Sequence, residues 1–121
     1  MTSKYVFDTY AIMEIIDGNE DYDKYLDSDI IINNFIFAEL CYNLYRDKDK
    51  RAGKTINKYS KYINSIKSEW IDEAMKFRLD WKDRSVSITD CVSYIMSKHI
   101  GVKFLTGDKE FENIENVEFV K

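Results

Sequence analysis

Four carboxylates stand where a charge has no obvious place: Asp8, Glu39, Asp90 and Asp108. Asp8 closes the run Lys4-Tyr5-Val6-Phe7, and Asp108 follows Lys103-Phe104-Leu105-Thr106-Gly107. Short runs of aromatic and β-branched residues favour strands, so both acids are delivered at strand ends. A lone carboxylate taken out of water is costly, whereas open α/β sheets bind ligands just beyond the carboxyl ends of their strands. If the two strands lie parallel and close, Asp8 and Asp108 meet at one edge of the sheet. Glu39 interrupts an apolar helix, with Phe35, Ile36, Phe37 and Ala38 before it and Leu40 and Cys41 after it. Asp90 falls in a first helical turn, sharing a face at three- and four-residue spacing with Ser87, Ser93, Tyr94 and Ser97.

Each acid has an ordinary reading of its own. Asp90 complements a helix dipole, Glu39 faces solvent on an imperfect amphipathic helix, Asp108 caps a helix, and Asp8 is a turn acid. Four separate accidents in one small chain weigh less than one shared purpose. Gathered carboxylates repel one another unless a cation neutralises them. An all-oxygen set without clustered His or Cys selects a hard divalent ion, Mg²⁺ or Mn²⁺, over zinc. Such a centre serves phosphoryl transfer, acidifying a water and offsetting charge on the phosphate. No Ser-His-Asp set, glycine-rich phosphate loop or zinc spacing competes. The single histidine, His99, sits at a helix C-terminus, where it complements the dipole.

The elements that must position these acids follow from pattern. After the first strand, Thr9 to Ile16 predicts a short helix ending at Asp17-Gly18-Asn19, with another turn or two from Asp21 to Leu26. Asp29-Ile30-Ile31-Ile32 predicts a strand buried on both faces. Asn33 or Asn34 caps a helix running to Tyr45. Ile56, Tyr59, Tyr62, Ile63 and Ile66 predict an amphipathic helix from Gly53 to Lys67, and a further helix runs from Trp70 to Trp81, where Leu79 fits poorly. Ser87 caps a helix from Ile88 to His99, ended by Ile100-Gly101. The second acid-bearing strand, a helical turn at Asp108 to Phe111 and a last strand from Val117 to Val120 complete the chain. Strands alternating with helices imply an α/β fold with a mostly parallel sheet.

With 121 residues, 45% of them hydrophobic and 33% charged, the chain reads as one globular domain over 1–121. No apolar run is long enough for a membrane span, and no secretory signal is read before the first strand, so the expected setting is cytoplasmic. Cys41 and Cys91 fit neither a disulfide framework nor a zinc knuckle and read as buried reduced thiols.

In their order and spacing, Asp8-Thr9, Phe37-Ala38-Glu39-Leu40, Ser87-Ile88-Thr89-Asp90-Cys91 and Thr106-Gly107-Asp108-Lys109-Glu110-Phe111 resemble the PIN domain, and within it the VapC-type toxin ribonucleases. The resemblance implies a three-layer α/β/α sandwich and a Mg²⁺- or Mn²⁺-dependent endoribonuclease. Carried over by position, it implies that Asp8, Glu39, Asp90 and Asp108 hold the metal and activate water. Thr9 and Thr106 would orient the first and last of these acids, with Ser87 supporting and Asp83 as an accessory acid. It further implies a homodimer and a small antitoxin whose tail enters the acidic groove.

A net charge of −4 argues against a polyanionic partner on average. The stretch from Arg46 to Lys61 departs from that average: Lys50, Arg51, Lys54 and Lys58, with Tyr59 and Tyr62 interleaved, offer a track for an RNA backbone and its bases. The plainer reading is a solvated face with surface ion pairs. Beside the toxin nuclease stand a housekeeping RNA-processing nuclease and a PIN-fold interaction module without turnover. A phosphatase lacks support, because Asp8-Thr9-Tyr10 has no second Asp two positions on.

Overall fold

The chain's backbone hydrogen bonds resolve into a four-stranded parallel sheet covered by helices, in a computed structural model that describes residues 2–121. In chain order the elements are β1 (Lys4–Phe7), α1 (Thr9–Ile16), a 3₁₀ helix (Glu20–Tyr25), β2 (Asp29–Ile31), α2 (Asn34–Arg46), α3 (Ala52–Ser60), α4 (Ser68–Asp80), α5 (Ile88–Ile100), β3 (Lys103–Thr106), a 3₁₀ turn (Lys109–Phe111) and β4 (Val117–Phe119). The strand order is β2-β1-β3-β4 and every pairing is parallel. This is the three-layer α/β/α sandwich anticipated above.

Register places the acids. Phe7 lies opposite Leu105, and the ladder continues one step to an Asp8 N–H donating to the Leu105 carbonyl at 3.0 Å. Asp8 therefore leaves the sheet beside Thr106. On the far side, the Val120 N–H donates to the Thr106 carbonyl at 2.9 Å, so β3 is hydrogen-bonded on both flanks up to its last residue. Helix α5 is the best-buried helix, with Cys91 through Ser97 all inside. Its Tyr94 ring meets Phe104 and Phe111 at centroid distances of 6.3 and 5.5 Å. Gly101 ends it in the left-handed region (φ 76°), as the Ile100-Gly101 reading required.

Three expectations need correction. β2 is not buried on both faces: it is an edge strand with Ile30 and Ile31 half-buried, and burial is complete only at Ile32, beyond the strand. The helix expected from Gly53 to Lys67 stops at Ser60. Residues 62–64 instead run beside Ile32, which donates to the Tyr62 carbonyl at 3.1 Å and accepts from the Asn64 N–H at 2.8 Å. The unpaired edge of β2 takes those backbone groups, and that tertiary demand overrides the helical spacing of Ile63 and Ile66. The polar stripe on α5 lies inside the fold: Ser93 accepts from Asn33 at 3.0 Å, and Ser97 donates to the Tyr94 carbonyl at 2.6 Å. Cys91 is buried as expected, but Cys41 is only half-buried.

Gly107 carries Asp108 round the end of β3, and its lack of a side chain is a packing requirement. A Cβ there would run into the Tyr10 ring and the Val120 carbonyl. The Gly107→Ala protein is expected to lose on the order of 1–3 kcal/mol, the usual range for overpacking. Urea unfolding of the two proteins measures this, and equal midpoints would contradict the packing described.

Candidate active site

Asp8, the residue after β1, still bonds the sheet and is the N-cap residue of α1, yet its side chain makes no cap bond. A carboxylate in that position ordinarily accepts from the first helical turn. Here it accepts instead from the Thr106 hydroxyl of the neighbouring strand, at 2.7 Å and fully buried. The same hydroxyl accepts from the Asp108 N–H at 3.1 Å. One threonine thus fixes the first acid by its proton and the last acid by its lone pair.

The other acids are held by equally short-range bonds. Glu39, on α2, accepts from the Thr9 hydroxyl at 3.0 Å. Asp90 completes a capping box: its Oδ2 accepts from the Ser87 N–H, and Ser87 Oγ accepts from the Asp90 N–H, each at 3.0 Å. Asp108 caps the 3₁₀ turn, its Oδ1 accepting from the Glu110 N–H at 3.0 Å. The capping reading of Asp108 therefore holds together with its place in the site, and Asp90, read as a first-turn acid complementing the dipole, caps its helix as well. Thr106 does hold the last acid, through the Asp108 N–H, and holds the first as well, whereas Thr9 reaches Glu39 and not Asp8. In all four acids one oxygen is engaged, while the other has no protein partner among the described residues. None of those second oxygens is stranded in the interior, since no buried side-chain oxygen among the described residues lacks a partner.

All four line one cleft of about 800 Å³ at the carboxyl end of the sheet. Burial pushes Asp8 up to about 8, helped first by the charge of Asp90 and then by those of Glu39 and Asp108, against the lowering effect of the Thr106 bond. Asp90 is also raised, by burial first and then by Asp108 and Glu39, with the Ser87 bonds opposing. These shifts have the sign expected of carboxylates crowded without a counter-charge. Among the described residues no three His, Cys, Asp or Glu side chains stand close enough to form a closed metal cage. The donor set still suits Mg²⁺ or Mn²⁺, because Mg²⁺ keeps several of its waters and needs only one or two carboxylates. Asp8 and Asp90 are the two acids that the crowding raises, and Glu39 and Asp108 add their charge to both.

The cleft includes residues that the sequence did not single out. Tyr10, Met13 and Glu14 lie on α1 and Asp17 at its C-cap, Asn43 lies one turn beyond Glu39, and Lys109 and Lys121 supply the cations. The spacing of Tyr10, Glu14 and Asp17 was the available signal, hidden by the apolar residues among them. Asp83 is exposed in the turn after α4 and does not line the cleft. His99 is elsewhere too, 2.8 Å from Glu73 and stacked on Trp70. Lys50, Arg51, Lys54 and Lys58 are exposed but line no part of the cleft. Arg51 is paired with Asp49 at 2.9 Å, and Tyr59 is buried, so the suggested stacking role for Tyr59 is withdrawn. Among the described residues no helix is long and apolar enough to cross a membrane.

The family model of the PIN domain matches residues 5–117. No curated protein sequence matches the chain. Among solved structures, a toxin–antitoxin complex from Klebsiella pneumoniae superposes with a TM-score of 0.77 at 16% identity, covering 94% of this chain and 95% of that one. The Mycobacterium tuberculosis toxin VapC20, described as cleaving the sarcin-ricin loop, gives 0.75 at 16% identity over 98% and 97%. VapBC2 from Rickettsia felis, bound to a DNA fragment from its promoter, gives 0.68 at 16% identity over 97% of each chain.

The raised Asp8 carries a pH signature. The folded protein keeps a proton that the unfolded chain releases near the ordinary value of 3.8. Stability from this group is complete below that value and is lost as pH climbs toward about 8. Urea unfolding in EDTA should therefore show a decline over that window which Asp8→Asn flattens. An identical slope in both proteins would contradict the assignment.

Proposed function

The chain belongs to the PIN domain family, and from that membership we propose that it is a Mg²⁺- or Mn²⁺-dependent endoribonuclease, the toxin of a toxin–antitoxin pair. The observation that carries the reading is the meeting of Asp8, Glu39, Asp90 and Asp108, from four separate elements, in one cleft with one unengaged oxygen each. The structural neighbours named above support the toxin setting. With it come an RNA substrate, a small antitoxin protein, a homodimer and a cytoplasmic location.

The chemistry proposed is hydrolysis of an RNA phosphodiester by water, with one P–O ester bond breaking as the new one forms. A bound Mg²⁺ or Mn²⁺ would supply a more acidic water and offset the charge that builds on the phosphate. The chain's own residues do the positioning. Thr106 fixes Asp8, Thr9 turns Glu39 toward the cleft, and the two capping arrangements hold Asp90 and Asp108 on rigid backbone. Burial and like charge hold the proton on Asp8, and a cation bound beside it would offset that crowding. Lys109 and Lys121 at the cleft face the charge of the phosphodiester.

Asp8→Asn and Glu39→Gln should each abolish cleavage while the protein stays folded, and excess EDTA should do the same to the native chain. Sequencing RNA 5′ ends from cells expressing the native protein or Asp8→Asn tests both activity and target. Cleavage that persists in EDTA refutes the mechanism. Growth arrest by the native protein, absent with Asp8→Asn, separates a toxin from a housekeeping nuclease.

A further inference from the structure

A second, smaller pocket of about 270 Å³ opens at the C-terminal end of α4. Its lining includes Arg78, Lys82 and Arg84 with Trp81 and Leu79, and no carboxylate. Neither arginine, nor Lys82, lies within ion-pairing distance of an acid among the described residues. Each arginine is tied to a backbone carbonyl instead: Arg78 Nε donates to Val86 at 3.2 Å, and Arg84 Nη1 to Glu110 at 2.8 Å. A guanidinium pinned through one N–H keeps its remaining donors for a bidentate oxyanion. The Arg84 guanidinium also lies over the Trp81 ring, 4.3 Å from its centroid, presenting a flat cationic surface of the kind on which a nucleobase stacks.

The pocket is joined to the acidic cleft by a short bonded path. Ser85 N–H donates to the Glu110 carboxylate at 3.1 Å, and the Glu110 N–H donates to Asp108 at 3.0 Å. The cleft itself presents Asp8, Glu14, Asp17, Glu39, Asp90 and Asp108 against only Lys109 and Lys121. Such a lining repels a polyanion, so most of the affinity for one must come from cations outside it. The other two arginines are already engaged, Arg46 with Asp47 and Arg51 with Asp49. Unpaired guanidinium groups and an aromatic ring coincide at the α4 pocket.

We propose that this pocket is a phosphate-and-base subsite for single-stranded RNA, holding the strand on its way into the acidic cleft. The assignment rests on the nuclease reading above for its choice of polyanion. Arg78 and Arg84 grip phosphate oxygens, Lys82 adds charge, and the Arg84–Trp81 pile receives a base.

Fluorescence anisotropy of a short labelled single-stranded RNA tests it, using the full chain with Glu39→Gln to stop turnover and Mg²⁺ present. Lys82→Gln and Arg84→Gln should each weaken binding several-fold and lower the slope of log affinity against log salt by about 0.7 for every phosphate no longer neutralised. Arg46→Gln, which removes an arginine already paired to an acid, should leave both unchanged. In the otherwise native chain the same substitutions should raise KM and spare kcat. The Lys82 side chain makes no hydrogen bond or ion pair within the described chain, so Lys82→Gln still tests the pocket if Arg84→Gln loosens its loop. Unaltered RNA affinity and slope in the Lys82 and Arg84 variants would overturn the subsite, even in a protein that cleaves RNA. Weakened binding of a polyglutamate peptide with RNA binding intact would overturn it in favour of an acidic protein partner. Loss of RNA binding in these variants, from a native chain that never cleaves, would uphold the subsite and remove the nuclease reading alone.

Discussion

A carboxylate buried at the junction of two parallel strands is the constraint around which this molecule is arranged. Asp8 is only 4% exposed, and five further acids share its cleft. Left alone, such a group destabilises the fold through desolvation and repulsion. The fold offsets part of that burden with one hydroxyl, Thr106, which is itself locked by backbone bonds on β3. Because β1 and β3 are in register, the donor arrives opposite the acid without any loop having to place it. The remaining repulsion is what a cation would relieve.

The same logic explains why the acids are held by local devices. A capping box needs only four consecutive helix-start residues, and an Asx cap even fewer. Asp90 and Asp108 gain fixed orientations from these motifs without drawing on the core. Each motif uses one carboxylate oxygen and leaves the other without a protein partner among the described residues. Structural capping and metal binding are thus compatible duties for one side chain, so the ordinary readings of Asp90 and Asp108 do not compete with the functional one. Charge is meanwhile segregated: the acids gather at the sheet end, and unpaired arginines lie one loop away at the end of α4.

Element by element, local chemistry was legible where it did not compete with long-range pairing. Asn33, Ser87 and Gly101 marked helix ends correctly because each acts on backbone groups within a turn. The spacing of Ile63 and Ile66 misleads because the edge of β2, distant in sequence, needed partners for Ile32. The Ser93 and Ser97 stripe is ambiguous for a related reason. A polar residue at helical spacing looks the same whether it faces solvent, ligand or a buried amide such as Asn33.

What the chain determined by itself was the identity of the four acids and the elements bearing them, since strand-end and first-turn positions are written in residue type and spacing. Only the tertiary structure decided which hydroxyl serves which acid, that Asp83 and the α3 lysines stand apart, and that Glu14, Asp17, Lys109 and Lys121 belong to the cleft. Those outcomes depend on strand register and on how helices pack across the sheet. Both are set by burial summed over the whole core, and no window of sequence contains that sum.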